Sequence, residues 1–410
     1  MKTTVVIGAG PAGMMAALEA SKSSRVILLE ANEKLGKKLF ITGKGRCNIT
    51  NAKDISEFFD YIPGNPSFLY SALYSFTNEN TMELFEKAGV KLKIERGGRV
   101  FPESDKSSDI INAFQKELLK SNVEIRFKTK LNEMIKFNDR IEYIVLDNNQ
   151  RIYADNYILC TGGKSYPLTG STGEGFIISQ KLGHNIVSLK PSLVPIELKE
   201  EWVRELQGLS LKNVEFKIYK DKKKLFSEFG EMLFTHFGVS GPIVLSGSRV
   251  VDSSMQMYAE IDLKPALSDD ELDRRIQHDF EEYKNKDIKN SLNELLPQKL
   301  INRIIWAAGI PEDKKVHSIT KQERRNLAYT IKHFRFTIKG LRPIEEAIVT
   351  AGGVDTKEID PSTMRSKLIN NLFFAGEVID VDAYTGGYNI QIALSTGYIA
   401  GKAVDEQEKL

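Results

Sequence analysis

Three glycines near the start of the chain are spaced so that the backbone around them can bind a ligand. They are Gly8, Gly10 and Gly13, in the run GAGPAG. They follow a short apolar run and open a segment with helical spacing, so the pattern predicts a strand, a tight turn and a helix. In such a turn the second glycine lets the backbone approach a pyrophosphate, and free N–H groups at the helix start bind the phosphates. The run, with Pro11 and Ala12 between the glycines, predicts a dinucleotide site; a simple glycine-rich turn is the alternative.

A carboxylate, Glu30, ends the second predicted strand, Arg25–Glu30. An acidic side chain at this place accepts hydrogen bonds from ribose hydroxyls, whereas a 2′-phosphate calls for a basic residue. The residue type therefore argues against a nucleotide with a 2′-phosphate. The fingerprint alone does not separate FAD from NAD.

A second glycine pair, Gly386 and Gly387, precedes the last predicted helix, which runs from about Tyr388 to Ala403. Backbone N–H groups at that helix start could face the pyrimidine edge of a flavin, and the helix dipole would stabilise negative charge on the reduced flavin. This second contact region favours FAD. A glycine-bearing loop before a packing helix is the alternative.

Reduction of an activated carbon–carbon double bond by a flavin needs a hydride from flavin N5 and a proton from a nearby acid. Cys47 is one candidate for that acid, because the neighbouring Arg46 and Lys44 are expected to lower the pKa of its thiol. A small buried residue packed near the flavin is the alternative.

His236, flanked by aromatic residues and glycine, is the other catalytic candidate, and a structural histidine is its alternative. Tyr384 and Tyr388 either donate a phenolic proton or stack. Cys160 ends an apolar strand and is expected in the core. No set of His, Cys and carboxylate residues has the spacing of metal ligands, so no metal is predicted.

Composition excludes several classes of protein. The 410 residues carry a formal net charge of +2 and two cysteines, so neither a strong overall field for nucleic acid or membranes nor a disulfide scaffold is expected. The N-terminal apolar segment contains the glycine turn and runs into another strand, unlike a cleavable leader. Because no apolar run reaches about 18 residues, we expect a cytoplasmic protein that does not bind membranes.

The order of predicted elements indicates an α/β protein. A β-α-β pattern at the N-terminus returns near residues 372–375, after a segment of different character that begins beyond Pro191. We therefore expect a discontinuous Rossmann-like FAD-binding domain interrupted by an inserted domain. The expected bounds are 1–190 and 346–410 for the FAD-binding domain, 191–345 for the insert, 191–265 with 335–345 for its β-rich part and 266–334 for its helical part.

The insert is nearly neutral as a whole, but the stretch from Lys314 to Arg342 carries nine basic residues and one acid, Glu323, with aromatic residues between them. Basic groups neutralise phosphates and aromatic rings stack on unpaired bases, so the stretch predicts contact with RNA. A solvated helix face with core aromatics is the alternative. Another charged run, Lys220–Lys224, is typical of a hairpin turn. The RNA-contact candidates are Lys314, Lys315, Lys321, Arg324, Arg325, Lys332 and Arg335.

Six longer motifs span nearly the whole chain. They are ITGKGRCNITN (41–51), GGRVFP (97–102), CTGGKSYPLTGSTGEGF (160–176), GEMLFTHFGVSGP (230–242), TAGGVDTKEIDPSTMRSK (350–367) and LFFAGEVIDVDAYTGGYNIQIALSTGYIAG (372–401). Together they resemble the motifs of the BaiN/RdsA-type bacterial NAD(P)/FAD-dependent oxidoreductases, also described as YhiN-like flavoproteins.

The resemblance implies a two-part FAD-binding domain of the GR2 type with an inserted β-rich and helical region. Because the chain has no second glycine fingerprint, we expect NAD(P)H to dock only transiently as the reductant. The FAD contacts that the resemblance implies are Gly8, Gly10, Ala12, Gly13, Glu30, Lys38, Gly45, Thr161, Gly162, Gly376, Glu377, Gly387, Tyr388 and Asn389. The predicted cofactor site further includes Pro11, Arg46, Cys47, Leu131, Gly163, Asp380 and Ile390.

The resemblance leaves the substrate open. Members of the family reduce uridine in ribosomal RNA to dihydrouridine, reduce conjugated double bonds in bile-acid-like steroids, or oxidise a small amine. We rank reduction of uridine in 23S ribosomal RNA first, because of the basic stretch. An enzyme acting on a small enone or amine comes second, and a flavin-binding protein that acts by interaction comes third.

Overall fold

The computed structural model of the protein describes residues 1–405 and contains two compact units. The first unit comprises Met1–Ser192 together with the chain from Ile344 onward, and the second comprises Leu193–Pro343. The first unit is therefore discontinuous in sequence.

The described chain contains nineteen strands and eleven α-helices. The strands are β1 (Lys2–Ile7), β2 (Ser24–Leu29), β3 (Thr50–Asn51), β4 (Leu92–Glu95), β5 (Arg99–Pro102), β6 (Glu124–Arg126), β7 (Leu131–Phe137), β8 (Arg140–Leu146), β9 (Arg151–Ile152), β10 (Asn156–Leu159), β11 (Ile186–Ser192), β12 (Ile196–Leu198), β13 (Ser210–Lys220), β14 (Lys223–Phe234), β15 (Gly238–Ser240), β16 (Met257–Asp262), β17 (Phe334–Leu341), β18 (Val349–Val354) and β19 (Leu372–Phe374). The helices are α1 (Pro11–Ala20), α2 (Lys37–Ile41), α3 (Tyr70–Ser75), α4 (Asn78–Lys87), α5 (Ser107–Lys120), α6 (Glu174–Lys181), α7 (Pro242–Ser248), α8 (Asp269–Glu282), α9 (Gln298–Ala307), α10 (Lys321–Lys332) and α11 (Tyr388–Ala403). Within residues 1–405, no helix has both the length and the apolar character needed to span a membrane.

A parallel five-stranded sheet forms the centre of the first unit, in the order β19-β10-β1-β2-β6. Strands β10 and β19 are wholly buried and, apart from Asn156, apolar. Strands β1 and β2 are buried along most of their length, as expected of parallel strands covered on both faces. The strand–helix–strand unit predicted at the N-terminus is present as β1, α1 and β2. Because parallel strands end at the same edge of a sheet, the residues that follow β1, β2, β10 and β19 are collected at one edge.

The last helix, α11, packs closely on the first, α1. Two glycines of α11 make this possible, because a Cβ at Gly397 would collide with the carbonyl oxygen of Ala12 and one at Gly401 with that of Ala16. Smaller antiparallel sheets complete the first unit: β3-β5-β4, β7-β8-β9 and the pair β11-β18. The beginning and the end of the chain are thus parts of one core.

The second unit contains a closed six-stranded barrel in the order β12-β15-β14-β13-β16-β17. Apolar side chains alternate along its strands and fill the interior, with Phe216, Phe234 and Phe336 almost fully buried. The hairpin turn predicted at Lys220–Lys224 is confirmed, since β13 and β14 pair up to Lys220 and Lys223. Helices α8, α9 and α10 bury apolar residues in the same hydrophobic core as the barrel.

Candidate active site

The glycine turn between β1 and α1 contains two glycines that the packing requires. Gly8 has a φ of +99°, and a Cβ there would lie against the backbone carbonyl of Cys160. A Cβ at Gly13 would collide with the carbonyl oxygen of Gly8, so α1 lies directly on the turn. Gly10 differs, because no protein atom lies within 4 Å of a Cβ built on it and its φ of −76° suits any residue. The packing of the protein therefore does not require a glycine at position 10, and the missing side chain leaves open space beside the turn.

The start of α1 has no side-chain cap. Gly10 is the N-cap residue, and Pro11, which has no N–H group, is the first helical residue. The N–H of Met14 donates to the carbonyl of Gly10 at 2.9 Å. Helix geometry therefore leaves the N–H groups of Ala12 and Gly13 without an intrahelical acceptor. With the helix dipole they form an anion-binding helix start.

Glu30 follows β2 and is almost completely buried, with 8% of its surface exposed. One carboxylate oxygen accepts a hydrogen bond from the N–H of Ala9 (2.9 Å), and the other accepts from the backbone and side-chain nitrogens of Asn32 (both 2.8 Å). An ionised carboxylate offers about four acceptor positions, so about one is left for a ribose hydroxyl. Leu131 is buried at the start of β7, two residues after Thr129, whose N–H donates to the backbone carbonyl of Glu30 (3.0 Å).

The turns after β10 and β19 bring further predicted residues to the same sheet edge. The segment 161–163 follows β10, and Gly376 and Glu377 follow β19. Gly376 has a φ of +75°, and a Cβ there would lie 2.8 Å from the Cβ of Ala12, so this turn abuts the start of α1. The hydroxyl of Thr161 is buried without a hydrogen-bond partner in the described protein. A polar ligand or an ordered water would satisfy it.

Lys38 and Glu377 form an ion pair in which the two side chains are 21% and 19% exposed. The ammonium of Lys38 also donates to the hydroxyl of Ser165 (2.7 Å), which lies 3.1 Å from Oε1 of Glu377. That carboxylate oxygen accepts from the N–H of Thr350 (2.7 Å), whose hydroxyl accepts from the N–H of Lys164 (2.8 Å). The carboxylate of Glu377 thus joins α2, the loop after β10 and the strand β18.

The start of α11 is held against β3 without a side-chain cap. Its N-cap residue, Gly387, has a φ of +100°, and a Cβ there would collide with the backbone of Thr50. The side-chain amide of Asn51 donates to the carbonyl of Gly386 (3.1 Å), and the buried amide oxygen of Gln391 accepts from the Thr50 hydroxyl (2.7 Å). These contacts fix a second helix start whose first N–H groups lack intrahelical acceptors.

The first residues of α11 are tied into the protein by their side chains. Tyr388 is 2% exposed, and its ring stacks on Tyr61 (4.6 Å between centroids) and meets Phe58 edge-on (4.9 Å). Burial raises the pKa of the Tyr388 hydroxyl, which therefore keeps its proton. The side chain of Asn389 accepts from the N–H of Ala383 (2.9 Å) and donates to its carbonyl (2.7 Å). The backbone N–H of Asn389, rather than its amide, is the group left for a ligand.

Two further predicted contacts, Asp380 and Ile390, lie in the loop and helix that carry Gly387. Asp380 accepts a hydrogen bond from the side-chain amide of Asn65 at 2.9 Å. Ile390 is partly buried against the hydrophobic core of the first unit. Both stay predictions as cofactor contacts.

The segment Gly43–Cys47 has a strained backbone. Gly43, Lys44, Gly45 and Cys47 all have φ values between +58° and +83°. Lys44 and Cys47 carry side chains in this left-handed region, which costs on the order of 1 kcal/mol for each residue. A Cβ at Gly45 would meet no atom within 4 Å, so this glycine also borders open space. Strain of this kind is concentrated at functional sites.

The expectation that positive neighbours lower the pKa of Cys47 is wrong. Its side chain is completely buried, and this burial raises the thiol pKa to about 12, against the smaller lowering effect of a hydrogen bond with Thr42. The guanidinium of Arg46 lies instead against Glu95 (2.8 Å) and Asp105 (3.1 Å). Cys47 is thus a protonated thiol at neutral pH, and the charge of Arg46 is compensated by these two carboxylates.

The features at this sheet edge fit a bound dinucleotide. An uncapped helix start beside the open space at Gly10 suits a diphosphate, and the buried carboxylate of Glu30 suits a ribose. The second uncapped helix start, at Gly387, suits a ring with a polar edge. The unsatisfied hydroxyl of Thr161 is a further polar group for such a ligand.

The match to known proteins covers almost the entire chain. Residues 2–403 match the family model described as the HI0933-like protein Rossmann domain. The chain belongs to the HI0933-like family. It is 30% identical to the 3-dehydro-bile acid delta(4,6)-reductase of Clostridium scindens and 31% identical to the ribosomal RNA dihydrouridine synthase of Haemophilus influenzae, with 98% of each chain covered in both comparisons. The ribosomal RNA dihydrouridine synthase of Escherichia coli is 32% identical over 96% of each chain.

Solved structures support the fold of this HI0933-like protein. A flavocytochrome c3 fumarate reductase superposes with a TM-score of 0.53 at 17% identity, covering 98% of this chain and 78% of that chain. A quinol-fumarate reductase superposes with a TM-score of 0.51 at 14% identity, covering 98% and 71%. The predicted fold class, a Rossmann-like domain of the FAD-binding type, is confirmed, and the HI0933-like chain is an enzyme, an oxidoreductase.

The second catalytic candidate of the HI0933-like protein, His236, lies in the second unit, in the turn between β14 and β15. It is exposed, and its ring meets Phe237 edge-on at 4.9 Å. The guanidinium of Arg342 lies 4.7 Å from the ring of Phe237 on the same turn. His236 is therefore not a buried structural histidine, and its catalytic role stays a prediction. Cys160 is in the core, as expected, and its burial raises the pKa of its thiol.

Most of the basic residues predicted to contact RNA are neutralised by carboxylates. Four of those carboxylates come from outside the stretch 314–342, so its own composition gave no sign of them. Among residues 1–405, no carboxylate lies within 4.0 Å of the charged groups of Lys321 and Arg325. The ion pairs are Lys314–Glu323 (2.6 Å), Lys315–Asp287 (2.7 Å), Arg324–Asp273 (2.8 Å), Lys332–Asp262 (2.8 Å) and Arg335–Glu260 (2.8 Å). The stretch as a whole is therefore not a uniform phosphate-binding surface.

Sequence reasoning missed the buried polar residues that position the site, above all Gln391 and Thr350. Both are completely buried, and both lie in otherwise apolar runs, Ile390–Ile392 and Ile348–Ala351. A polar residue inside such a run is the signal that could have found them, because a buried amide or hydroxyl needs hydrogen-bond partners.

Proposed function

We propose that the protein binds FAD at the sheet edge of the first unit and reduces uridine to dihydrouridine in 23S ribosomal RNA, with NAD(P)H as the reductant. The observation that carries the cofactor assignment is the pair of uncapped helix starts, at Pro11 and Tyr388, in one unit with the buried carboxylate of Glu30. The first would hold the diphosphate and Glu30 the ribose, while the second would hold the flavin ring. NAD would use the first helix start and Glu30 but would not need the second helix start.

The protein's own groups prepare the site for a reduction. When bound, FAD supplies the hydride that adds to one carbon of an activated double bond. Two buried groups keep a proton at neutral pH, the thiol of Cys47 and the hydroxyl of Tyr388, because burial raises the pKa of each. A general acid must carry its proton at neutral pH, which both groups do, but their raised pKa values make them weak acids; a nucleophile would instead need the thiolate. The helix dipole of α11 stabilises negative charge near its start.

The substrate assignment is supported by two relatives of almost full length that are named ribosomal RNA dihydrouridine synthases. A reductase of a small conjugated enone is the second candidate, because the relative from Clostridium scindens is named a bile acid reductase at nearly the same identity. Both reactions saturate a carbon–carbon double bond conjugated with a carbonyl group. One arrangement of flavin and proton donor can serve both.

The test is nucleoside mass spectrometry of 23S ribosomal RNA from a deletion strain and from the same strain complemented with the gene. We expect one dihydrouridine to be lost in the deletion and restored by the wild-type gene. Purified protein should show flavin absorbance, accept electrons from NAD(P)H and restore the modification in RNA from the deletion strain. An unchanged dihydrouridine content, together with reoxidation of the reduced protein by a steroid enone, would favour the second candidate.

A further inference from the structure

The outer face of the barrel in the second unit carries a stacked pair of tyrosines. Phe216 and Ile218 of β13 point into the barrel and are fully buried, so the intervening and following residues face outwards. Tyr219 is paired in register with Tyr258 of β16. Their rings are partly exposed and lie parallel, with centroids 4.9 Å apart and planes 7° apart. A stacked pair of aromatic rings thus stands on the outside of the sheet.

An arginine lies over one ring of this tyrosine pair. The guanidinium carbon of Arg335, on β17, is 5.1 Å from the ring of Tyr258, and the side chain is 53% exposed. Its Nε donates to the carboxylate of Glu260 (2.8 Å), which is 1% exposed and also contacts the ring of His333 (3.0 Å). The buried carboxylate thus fixes the guanidinium of Arg335 and the ring of His333, while Arg335 stays about half exposed.

Helix α10 continues this surface. Lys321, Arg325 and Tyr329 are spaced four residues apart, so they lie on one face of the helix, and all three are exposed. Tyr329 is 57% exposed, and the centroid of its ring lies 4.4 Å from that of the His333 ring. Since His333 also contacts Glu260, the helix face adjoins the barrel face. Within residues 1–405, Lys321 and Arg325 are the two basic residues of the stretch without an ion pair of 4.0 Å or less, although the charge of Arg325 also lowers the pKa of Asp273, which pairs with Arg324.

The turn between β13 and β14 places more positive charge beside the tyrosines. Tyr219 is paired with Lys224, and Lys222 and Lys223 follow each other at the tip. All three lysines are exposed. The turn also contains one acid, Asp221, so its net charge is positive.

We propose that this face, formed by Tyr219, Tyr258, Arg335, Tyr329, Arg325 and Lys321, binds unpaired nucleotides of an RNA strand. Aromatic rings and the guanidinium plane of Arg335 stack on bases only where the bases are unpaired, and Lys321 and Arg325 neutralise the phosphates between them. The inference rests on the RNA substrate of the proposed function and gives that RNA a binding surface. This face also takes the place of the RNA contact predicted for the whole stretch 314–342, because five of the seven candidate residues in that stretch are ion-paired.

The test measures binding of a fluorescent single-stranded RNA of about 16 nucleotides to the full-length FAD-loaded protein by anisotropy. Stacking on one ring changes affinity by about 5- to 150-fold, so we expect Tyr258→Ala and Tyr329→Ala each to weaken binding within that range. Tyr258→Phe keeps the ring and should bind as the wild type does. Tyr74→Ala removes a tyrosine of the first unit that is 53% exposed, and it should leave the affinity unchanged.

The contribution of the two basic residues of α10 to RNA binding is measured separately, from the salt dependence of the affinity. The double substitution Lys321→Gln with Arg325→Gln should lower the slope of log affinity against log salt by about 1.4, the value for two phosphate contacts on a single strand. Unchanged affinity in Tyr258→Ala and Tyr329→Ala, in protein that melts like the wild type, would overturn the proposal. Equal affinity for duplex RNA, insensitive to both tyrosines, would overturn it as well.

Failure of the proposed RNA-binding face can be distinguished from failure of the proposed function. If the tyrosine variants lose RNA binding while NAD(P)H still reduces their flavin, the face acts in RNA binding and not in cofactor chemistry. If the deletion strain keeps all its dihydrouridine although the tyrosine variants bind RNA more weakly, the binding face stands and the substrate assignment fails. A dihydrouridine that is lost in the deletion but fully restored by Tyr258→Ala and Tyr329→Ala with normal RNA affinity would leave the function standing and reject the face.

Discussion

The ammonium nitrogen of Lys38 lies 2.7 Å from a carboxylate oxygen of Glu377, although the two residues are 339 positions apart in the chain. Around this pair are the Ser165 hydroxyl and the backbone N–H of Thr350. The pair therefore links both sequence segments of the first unit at the edge of the sheet where the dinucleotide is proposed to bind.

Glu377→Gln should weaken FAD binding and stability together. The substitution leaves the ammonium of Lys38 partly buried without its counter-charge, and losing one partner of such a pair costs about 1–3 kcal/mol. We expect about 5- to 150-fold weaker FAD binding, measured by flavin absorbance after dialysis, and a lower melting temperature of the FAD-free protein. Lys87→Met removes an ion pair with Glu83 whose side chains are 73% and 57% exposed, and it should change neither quantity. Normal FAD retention in Glu377→Gln would show that the pair does not shape the cofactor site.

Gly10→Ala and Gly13→Ala should separate cofactor binding from packing. Gly10 borders open space, so an alanine there should leave the stability of the FAD-free protein within about 0.5 kcal/mol of the wild type. The added methyl group would occupy the space proposed for the diphosphate, so FAD binding should fall at least about tenfold. At Gly13 the methyl group would collide with the backbone of Gly8, and that variant should fold poorly even without FAD. Tight FAD binding by Gly10→Ala would place the diphosphate elsewhere.

The sequence predicted the parts of the fold that depend on local pattern. The strand, glycine turn and helix around Gly8–Gly13 and the last helix from Tyr388 were predictable, because glycine geometry and periodicity act over a few residues. The environment of Cys47 was not, since its burial depends on strands and helices far away in the chain. In the same way, the ion pairs of Lys332 with Asp262 and of Arg335 with Glu260 arise only when the barrel closes. Net charge along a stretch therefore could not show which basic residues stay unpaired.

Gln391 should be one of the most sensitive positions for stability. Its buried amide oxygen accepts from the hydroxyls of Thr50 and Thr81 (both 2.7 Å), and its nitrogen donates to the carbonyl of Phe76 (2.9 Å) and to the hydroxyl of Ser395 (3.0 Å). Gln391→Leu would leave several of these groups buried without partners, at about 1–3 kcal/mol for each group. We expect a loss of about 3–5 kcal/mol of unfolding free energy in urea titrations.

The position beside it provides the control for Gln391. Ile390→Leu changes the shape of a partly buried apolar side chain and should cost less than about 1.5 kcal/mol. If Gln391→Leu were no more destabilising than Ile390→Leu, the hydrogen bonds of the amide would not contribute to holding the start of α11 on β3.

The stability of the protein should fall above pH 8.5 because of its two buried thiols. Burial raises the pKa of Cys47 to about 12 and also raises that of Cys160, while in the unfolded chain each is about 8.5. Above pH 8.5 the unfolded chain therefore binds fewer protons than the folded protein, and the unfolding free energy decreases as the pH rises. Each thiol contributes up to about 1.4 kcal/mol per pH unit in this range and nothing below about pH 7.5.

The variants Cys47→Ala and Cys160→Ala test the source of this pH dependence. Urea titrations between pH 7 and pH 9.5 should show a shallower decline in each variant and the shallowest in the double variant, whatever the stability at pH 7. A disulfide reagent should modify the native thiols slowly at pH 8 and quickly after unfolding, because the thiolate is the reactive form. Rapid modification of Cys47 in the native protein would mean that its thiolate is accessible at neutral pH, and a role as proton donor would then be excluded.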